Sequence, residues 1–201
     1  MPRRDRKAER REATRQEIVD AAWEIAHERG LAQLTLREVG ERIGMRAPSL
    51  YSHYGSKNAI YDAMFEQAWS ECERVSIAAL RSAPADPRGL VRVMALAYFD
   101  FAVADLARYQ LMNQRTIPGF EPSPGAYASA VRALDEVIAV FATIGVTDRD
   151  DVEIWIAVLS GLVDQQLAND PGGHSRRKLL DRAVDMWADS VGLPPSKEPQ
   201  K

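Results

Sequence analysis

The sequence has a single cysteine, Cys72, and only three histidines, His27, His53 and His174. One thiol excludes an internal disulfide, which fits a reducing compartment, and Cys72 has no His or Cys near it to form a metal site. It is therefore expected to be an inert, partly buried thiol. His27 reads as a solvated helix residue, and His174, in a Pro-Gly-Gly loop, stands too alone to ligate a metal. No uninterrupted apolar run reaches the roughly 18 residues of a membrane helix. The charged start (Arg3, Arg4, Arg6, Lys7) is followed by no apolar stretch and does not read as a secretory leader. Glycine-rich phosphate loops, Ser/His/Asp or Cys/His sets and paired catalytic carboxylates are all missing, so an enzymatic reading has no residues to rest on. No cofactor is expected. Strand-like alternation and internal repeats are missing too.

What is present is charge, unevenly spread, on a chain of 201 residues with formal net charge −3. Residues 1–60 carry 12 Lys/Arg against 9 Asp/Glu, and the first fifteen carry 7 against 3. The remaining residues hold 14 basic against 20 acidic side chains. A basic front on an acidic body suggests a nucleic-acid surface at one end.

Helical periodicity runs through the chain. Residues 1–13 are nearly devoid of apolar groups and are expected as a flexible basic arm. Ile18, Ala21, Ala22 and Ile25 mark a first helix over Thr14–Arg29, which Gly30 ends. Thr35-Leu36-Arg37-Glu38 reads as a capping box opening a second helix with Leu36, Val39, Gly40 and Ile43 as its buried stripe, stopped by Gly44. Gly40 is needed where the two short helices cross closely. Pro48 stands near the start of a short third helix reaching about Tyr54, with Leu50 as its core residue. Tyr54 is expected to pack rather than to face outward. Ser56 caps a fourth helix from Lys57 to about Arg81. Residues 90–106 are apolar nearly all round, as suits a central helix. A short helix near 107–114 follows, then a loop with Pro118, Gly119, Pro122, Pro124 and Gly125. Helices near 124–144, 148–168 and 175–191 complete an all-α chain, and residues 194–201, with three prolines, are expected to be a disordered tail.

A nine-residue helix, a glycine turn and a second short helix, with a supporting helix on each side, make a helix-turn-helix. The small residue at Gly40, the Gly44 turn, the Ser49-Leu50-Tyr51 run, His53 and Lys57 together resemble the DNA-binding domain of the tetracycline-repressor (TetR) family over residues 14–65. The resemblance implies a three-helix head at 14–58 and a helical effector-binding and dimerisation domain at 59–193. It implies that Ala47 and Pro48 face base edges, where apolar atoms meet thymine methyls, and that Ser49, Tyr51, His53 and Lys57 reach phosphates. Thr35 would offer its hydroxyl to a phosphate, and Arg37 matches a base-reading position in some relatives. The chain departs from those relatives at Ala47, where they carry a polar reader, and at Ser52, where they carry an aromatic. Base readout then shifts toward Arg37, Arg46 and Tyr51.

The same resemblance implies a homodimer on palindromic operator DNA, since one helix-turn-helix reads one half-site. The last two long helices would form the dimer interface, with Trp155, Ala157, Gly161, Val184 and Trp187 as candidates. It also implies a pocket for a small apolar or aromatic effector whose binding releases the operator. Candidate lining residues by composition are Phe65, Trp69, Met94, Tyr98, Phe101, Tyr109, Met112, Phe120, Tyr127 and Trp155. The stretch Ala107–Met112 is similar to a motif of one TetR C-terminal subgroup with varied ligands. A cytoplasmic repressor without a membrane partner is the expectation. Two alternatives stay open: a DNA-binding protein without an effector, and a small-molecule binder with a vestigial DNA role.

Overall fold

The computed structural model describes residues 6–196. Every regular element among them is helical. In chain order these are α1 (Arg6–Arg29), α2 (Leu36–Arg42), α3 (Ala47–Tyr51), α4 (Lys57–Leu80), α5 (Pro87–Val103), α6 (Leu106–Asn113), α7 (Pro124–Thr143), α8 (Arg149–Asn169) and α9 (Leu180–Ser190). Short 3₁₀ turns at Leu31–Gln33 and Arg177–Leu179 join α1 to α2 and lead into α9. Helix boundaries fall within a few residues of those the periodicity predicts, with one larger difference. The first helix starts at Arg6, not Thr14, so residues 6–13 are helix rather than flexible arm. The reason is composition: Arg, Lys, Glu and Ala all have high helix propensity. Arg15 lies 4.0 Å from Glu12 one turn earlier, a spacing that supports an exposed helix. The rest of the expected arm, residues 1–5, lies outside the described residues, as do 197–201 of the expected tail.

The chain forms two compact units. The first runs up to Ala68 and includes Ala107–Ser129; the second holds Trp69–Leu106 and the residues from Ala130 on. A single cut along the sequence does not foresee this grouping of α6 and the following loop with the head.

In the first unit α1 buries Ile18, Val19, Ala21, Ala22, Ile25 and Ala26, and α2 packs against it. Leu31, Leu34, Val39, Leu50, Tyr54, Ile60, Tyr61 and Met64 are buried with them. Gly30 holds φ +85°, a conformation that costs glycine little. Gly40 is fixed by contact instead. A Cβ there would stand 2.7 Å from the Met45 carbonyl oxygen, while Leu50 Cδ1 would be 3.9 Å away. The turn backbone, more than the facing helix, demands the glycine.

In the second unit α5 packs on α8 and α9. Its buried face is Val91, Ala95, Phe99 and Ala102, while Val93, Met94, Leu96 and Tyr98 are only half-buried. The all-round apolar pattern therefore does not make α5 a fully enclosed helix. Asp86 caps it, accepting from the Gly89 amide at 2.8 Å, and this bond holds the carboxyl below its ordinary range. Arg88 is buried and ties the chain end down, its guanidinium donating to Asp189 (2.5 Å) and to the carbonyls of Leu193 (2.7 Å) and Pro194 (2.8 Å). Ser196 donates to Asp86. Pro194 and Ser196 are thus hydrogen-bonded into the unit, which corrects that part of the expected disordered tail.

Candidate nucleic-acid interface and ligand cavity

The head presents α3 outward. Leu50 is fully buried and anchors the helix, while Pro48, Ser49, Tyr51 and Ser52 are exposed, Tyr51 by 53%. Pro48 sits within the first turn, where a missing N–H leaves no bond broken. Arg46 takes the position just before the helix in extended conformation, makes no side-chain cap bond, and is exposed. The side chain of Ala47 lies outside the described part of the structure. Ser52 donates its hydroxyl to the Ser49 carbonyl at 2.6 Å.

Two of the expected contact residues already have partners. Thr35 accepts from the Glu38 amide (3.2 Å) and donates to the Glu38 carboxylate (2.9 Å), so its hydroxyl is engaged on both sides in capping α2. Glu38 also pairs with Arg29. Arg37, 85% exposed, pairs with Glu41 one turn on at 2.8 Å. That pair is an exposed i,i+4 contact, weakened by solvent screening, and a base edge can displace it. Arg42 is held between Glu24 and Glu28, which raises its already high pKa further.

His53 and Lys57 are half-buried rather than open. The His53 ring buries Nδ1 without a hydrogen-bond partner. Lys57 Nζ stands 5.6 Å from the Tyr61 ring centroid, where the ring quadrupole attracts an ammonium. Ser56 caps α4 by accepting from the Ala59 amide at 3.1 Å. Tyr54 is packing, as expected, at 4% exposure. The Arg15 guanidinium lies 4.2 Å over its ring, and burial pushes its phenol pKa up.

The first unit also holds a cavity of about 250 Å³. Its apolar wall is Phe65, Leu111, Met112, Ile117 and Phe120, with Asn113, Gln114, Arg115, Glu121, Pro122 and Tyr127 around it. Four of the ten candidates, Phe65, Met112, Phe120 and Tyr127, meet there. Tyr127 is exposed and stacks on Phe65 at 6.5 Å between centroids. Tyr109 is buried in the same unit without lining the cavity. Trp69, Met94, Tyr98, Phe101 and Trp155 belong to the second unit. Arg115 and Glu121, 3.0 Å apart and both highly exposed, form an ion pair among the residues that surround the cavity. Composition favoured aromatics and so missed Leu111, Ile117 and this pair.

The candidates for the dimer interface divide. Trp155, Val184 and Trp187 are buried within the single chain. The Trp187 ring lies 5.2 Å from both Phe141 and Trp155, and its indole N–H donates to the Asp151 carbonyl at 2.9 Å. These three are the core of the second unit rather than a surface: the chain itself encloses them, with Trp187 set between Phe141 on α7 and Trp155 on α8. Ala157 and Gly161 are exposed. They share the open face of α8 with Ile154 (55% exposed) and Val158 (39%).

The helix-turn-helix order, with Gly40 closed on the Met45 carbonyl and Leu50 buried beneath an open α3, matches a known family pattern. Residues 18–64 fit the family described as bacterial regulatory proteins, tetR family. Residues 18–64 thus carry the DNA-binding domain of the TetR family. Among TetR relatives the chain is 28% identical over 109 residues to the HTH-type transcriptional regulator TtgR of Pseudomonas putida, covering 54% of this chain and 51% of that protein. It is 38% identical over 50 residues to the class D tetracycline repressor protein of Escherichia coli, covering 25% and 23%. The chain thus spans about half the length of the first of these curated relatives. Its fold resembles that of a TetR family transcription regulator from Marinobacter aquaeolei, with TM-score 0.66, 15% identity and coverage of 92% and 98%. It also resembles the multidrug binding protein EbrR complexed with imidazole, with TM-score 0.63, 22% identity and coverage of 92% and 98%.

Proposed function

We propose that this chain is a cytoplasmic transcriptional repressor of the TetR family that binds operator DNA as a homodimer and is released by a small apolar or aromatic effector. The observation that carries the reading is the head: a recognition helix anchored by buried Leu50, with Pro48, Ser49, Tyr51 and the following Ser52 all exposed. The N-terminal residues of such a helix are those that meet base edges in the major groove. Arg46 and Arg37 are the base-reading side chains; Ser49, Tyr51, His53 and Lys57 are the phosphate contacts. Thr35 acts mainly by holding α2, since its hydroxyl is committed to Glu38.

Dimerisation is assigned to the open face of α8. Ile154, Ala157, Val158 and Gly161 recur at helical spacing, all exposed on the single chain. A Cβ on Gly161 would meet nothing within 4 Å. A helix-interior glycine costs about 1 kcal/mol relative to Ala, and the lone chain offers no contact that needs it. A partner helix crossing closely there does.

The effector is assigned to the 250 Å³ cavity, and its route to the head lies within the first unit. Phe120, in the cavity wall, packs on Tyr61 with centroids 5.1 Å apart. The Tyr61 hydroxyl donates to the Leu31 carbonyl at 2.5 Å, between α1 and α2, and burial pushes its pKa up to about 12. The Ser123 amide donates to Asp62 on α4 at 2.9 Å. A ligand that moves Phe120 therefore acts on the seat of α2.

The test is titration of the DNA upstream of its own gene against scrambled DNA of equal length. Sequence-selective binding is expected. Lys57→Ala should weaken both DNAs alike and lower the salt slope by about 1. Equal affinity of the wild-type chain for the two DNAs would remove the reading.

A further inference from the structure

We infer that Arg15, on α1, is a positioning residue for DNA recognition: it fixes the C-terminal end of the recognition helix without itself touching DNA. The inference rests on the DNA-binding reading above. Its ground is a three-way contact across a large sequence separation. Arg15 Nη1 donates to the His53 carbonyl at 2.7 Å. The same guanidinium lies 4.2 Å over the centroid of the Tyr54 ring. The Tyr54 hydroxyl returns to the Arg15 carbonyl at 3.5 Å.

The place of this contact gives it its effect. α3 is five residues long, too short to hold its own shape, because the ends of a helix leave their groups unpaired. Its C-terminal side is closed by local bonds only, with the amides of His53 and Tyr54 both donating to the Leu50 carbonyl. The His53 carbonyl beyond them is met by Arg15, a cation where the helix dipole favours one. Tyr54 is clamped between the core and the guanidinium. The segment between, with Tyr51, Ser52 and His53, is the part expected to meet phosphate. One residue of the long, well-anchored α1 thus sets the backbone of the shortest helix in the head.

A planar guanidinium can donate in its plane while stacking with its face. An ammonium carries the same charge but cannot do both. Arg15→Lys therefore separates positioning from charge. If Arg15 bound phosphate, lysine would serve in its stead, and Arg15→Ala would lower the salt slope by about 1. If it positions α3, Arg15→Lys and Arg15→Ala should both reduce affinity for the selected upstream DNA by about tenfold. Both should weaken binding to scrambled DNA as well, because the segment meets phosphate whatever the sequence, and leave the salt slope unchanged, because no cation is lifted from a phosphate.

The wild-type chain and Lys57→Ala run beside them as references. A wild-type chain without selectivity refutes the DNA reading and not this one, so a second measurement needs no DNA. Hydrogen exchange should quicken in Arg15→Lys at the amides of Leu50, His53 and Tyr54 and remain unchanged in α1 and α2. Wild-type affinity in Arg15→Lys, a reduced salt slope in Arg15→Ala, or exchange that quickens throughout the unit or nowhere would each overturn the inference.

Discussion

Replacing Gly40 by alanine sets two known effects against each other at one atom. The added methyl would stand 2.7 Å from the Met45 carbonyl oxygen, whereas ordinary C···O contacts begin near about 3.3 Å. Relief therefore needs movement of roughly 0.6 Å, the difference between the two. The neighbour is backbone, and it is tied. The Met45 amide donates to the Gly40 carbonyl at 2.8 Å, so the turn cannot swing away without straining the bond that closes it. Overpacking of this kind costs about 1–3 kcal/mol. Alanine's better helix propensity returns about 1 kcal/mol, which leaves a net loss of roughly 0–2 kcal/mol by these two figures. At about 2–4 °C per kcal/mol for a chain of this size, the melting temperature should fall by a few degrees. DNA binding should suffer more, because the displaced turn carries Arg46 and the start of α3. Losing the alignment of one good base contact costs about 1–3 kcal/mol, roughly 5–150-fold in affinity. Thermal melting and titration of upstream against scrambled DNA read the two effects separately. A Gly40→Ala chain that melts higher by the propensity gain and keeps its selectivity would refute the steric argument.

Other outcomes follow from the remaining elements. Gly161→Glu should yield monomers with unchanged helix content and weakened operator binding, since two carboxylates would be buried unpaired at the α8 seam; sedimentation as an intact dimer would move the interface elsewhere. Tyr61→Phe removes only the hydroxyl that reaches Leu31, so DNA binding should persist while Met112→Trp, a substitute for ligand in the cavity, loses its power to weaken that binding; an undiminished Met112→Trp effect in the double variant would break the proposed route. Glu136 is held above the ordinary carboxyl range by burial first and by Glu73 second. A carboxyl raised in the folded state binds its proton more tightly there, so stability should fall as pH rises from the unfolded value through the folded one. Glu136→Gln should therefore raise the melting temperature at neutral pH and give no gain below about pH 4, as scanning calorimetry at the two pH values would register.

The sequence by itself determined the local events of this protein. Apolar residues at helical spacing specify α1 to α9, and Thr35 and Ser56 specify where two helices start because capping needs only neighbours in the chain. The head was legible for the same reason: Gly40, Gly44 and Leu50 act over a span of eleven residues. What tertiary structure decided are the choices among faces. Trp155, Val184 and Trp187 are as apolar as Ile154 and Val158, and periodicity cannot say which stripe meets α5 and which stays open. Charge content left residues 6–13 looking like an arm, although the same Arg, Lys and Glu are good helix formers once α1 is seated. The gathering of Phe65, Met112, Phe120 and Tyr127 at one cavity depends on α4 meeting a loop some fifty residues later. Arg15 carried no local mark at all. Its role exists only because folding brings a guanidinium on α1 to a carbonyl thirty-eight residues away, a contact fixed by how helices pack rather than by any spacing along the chain.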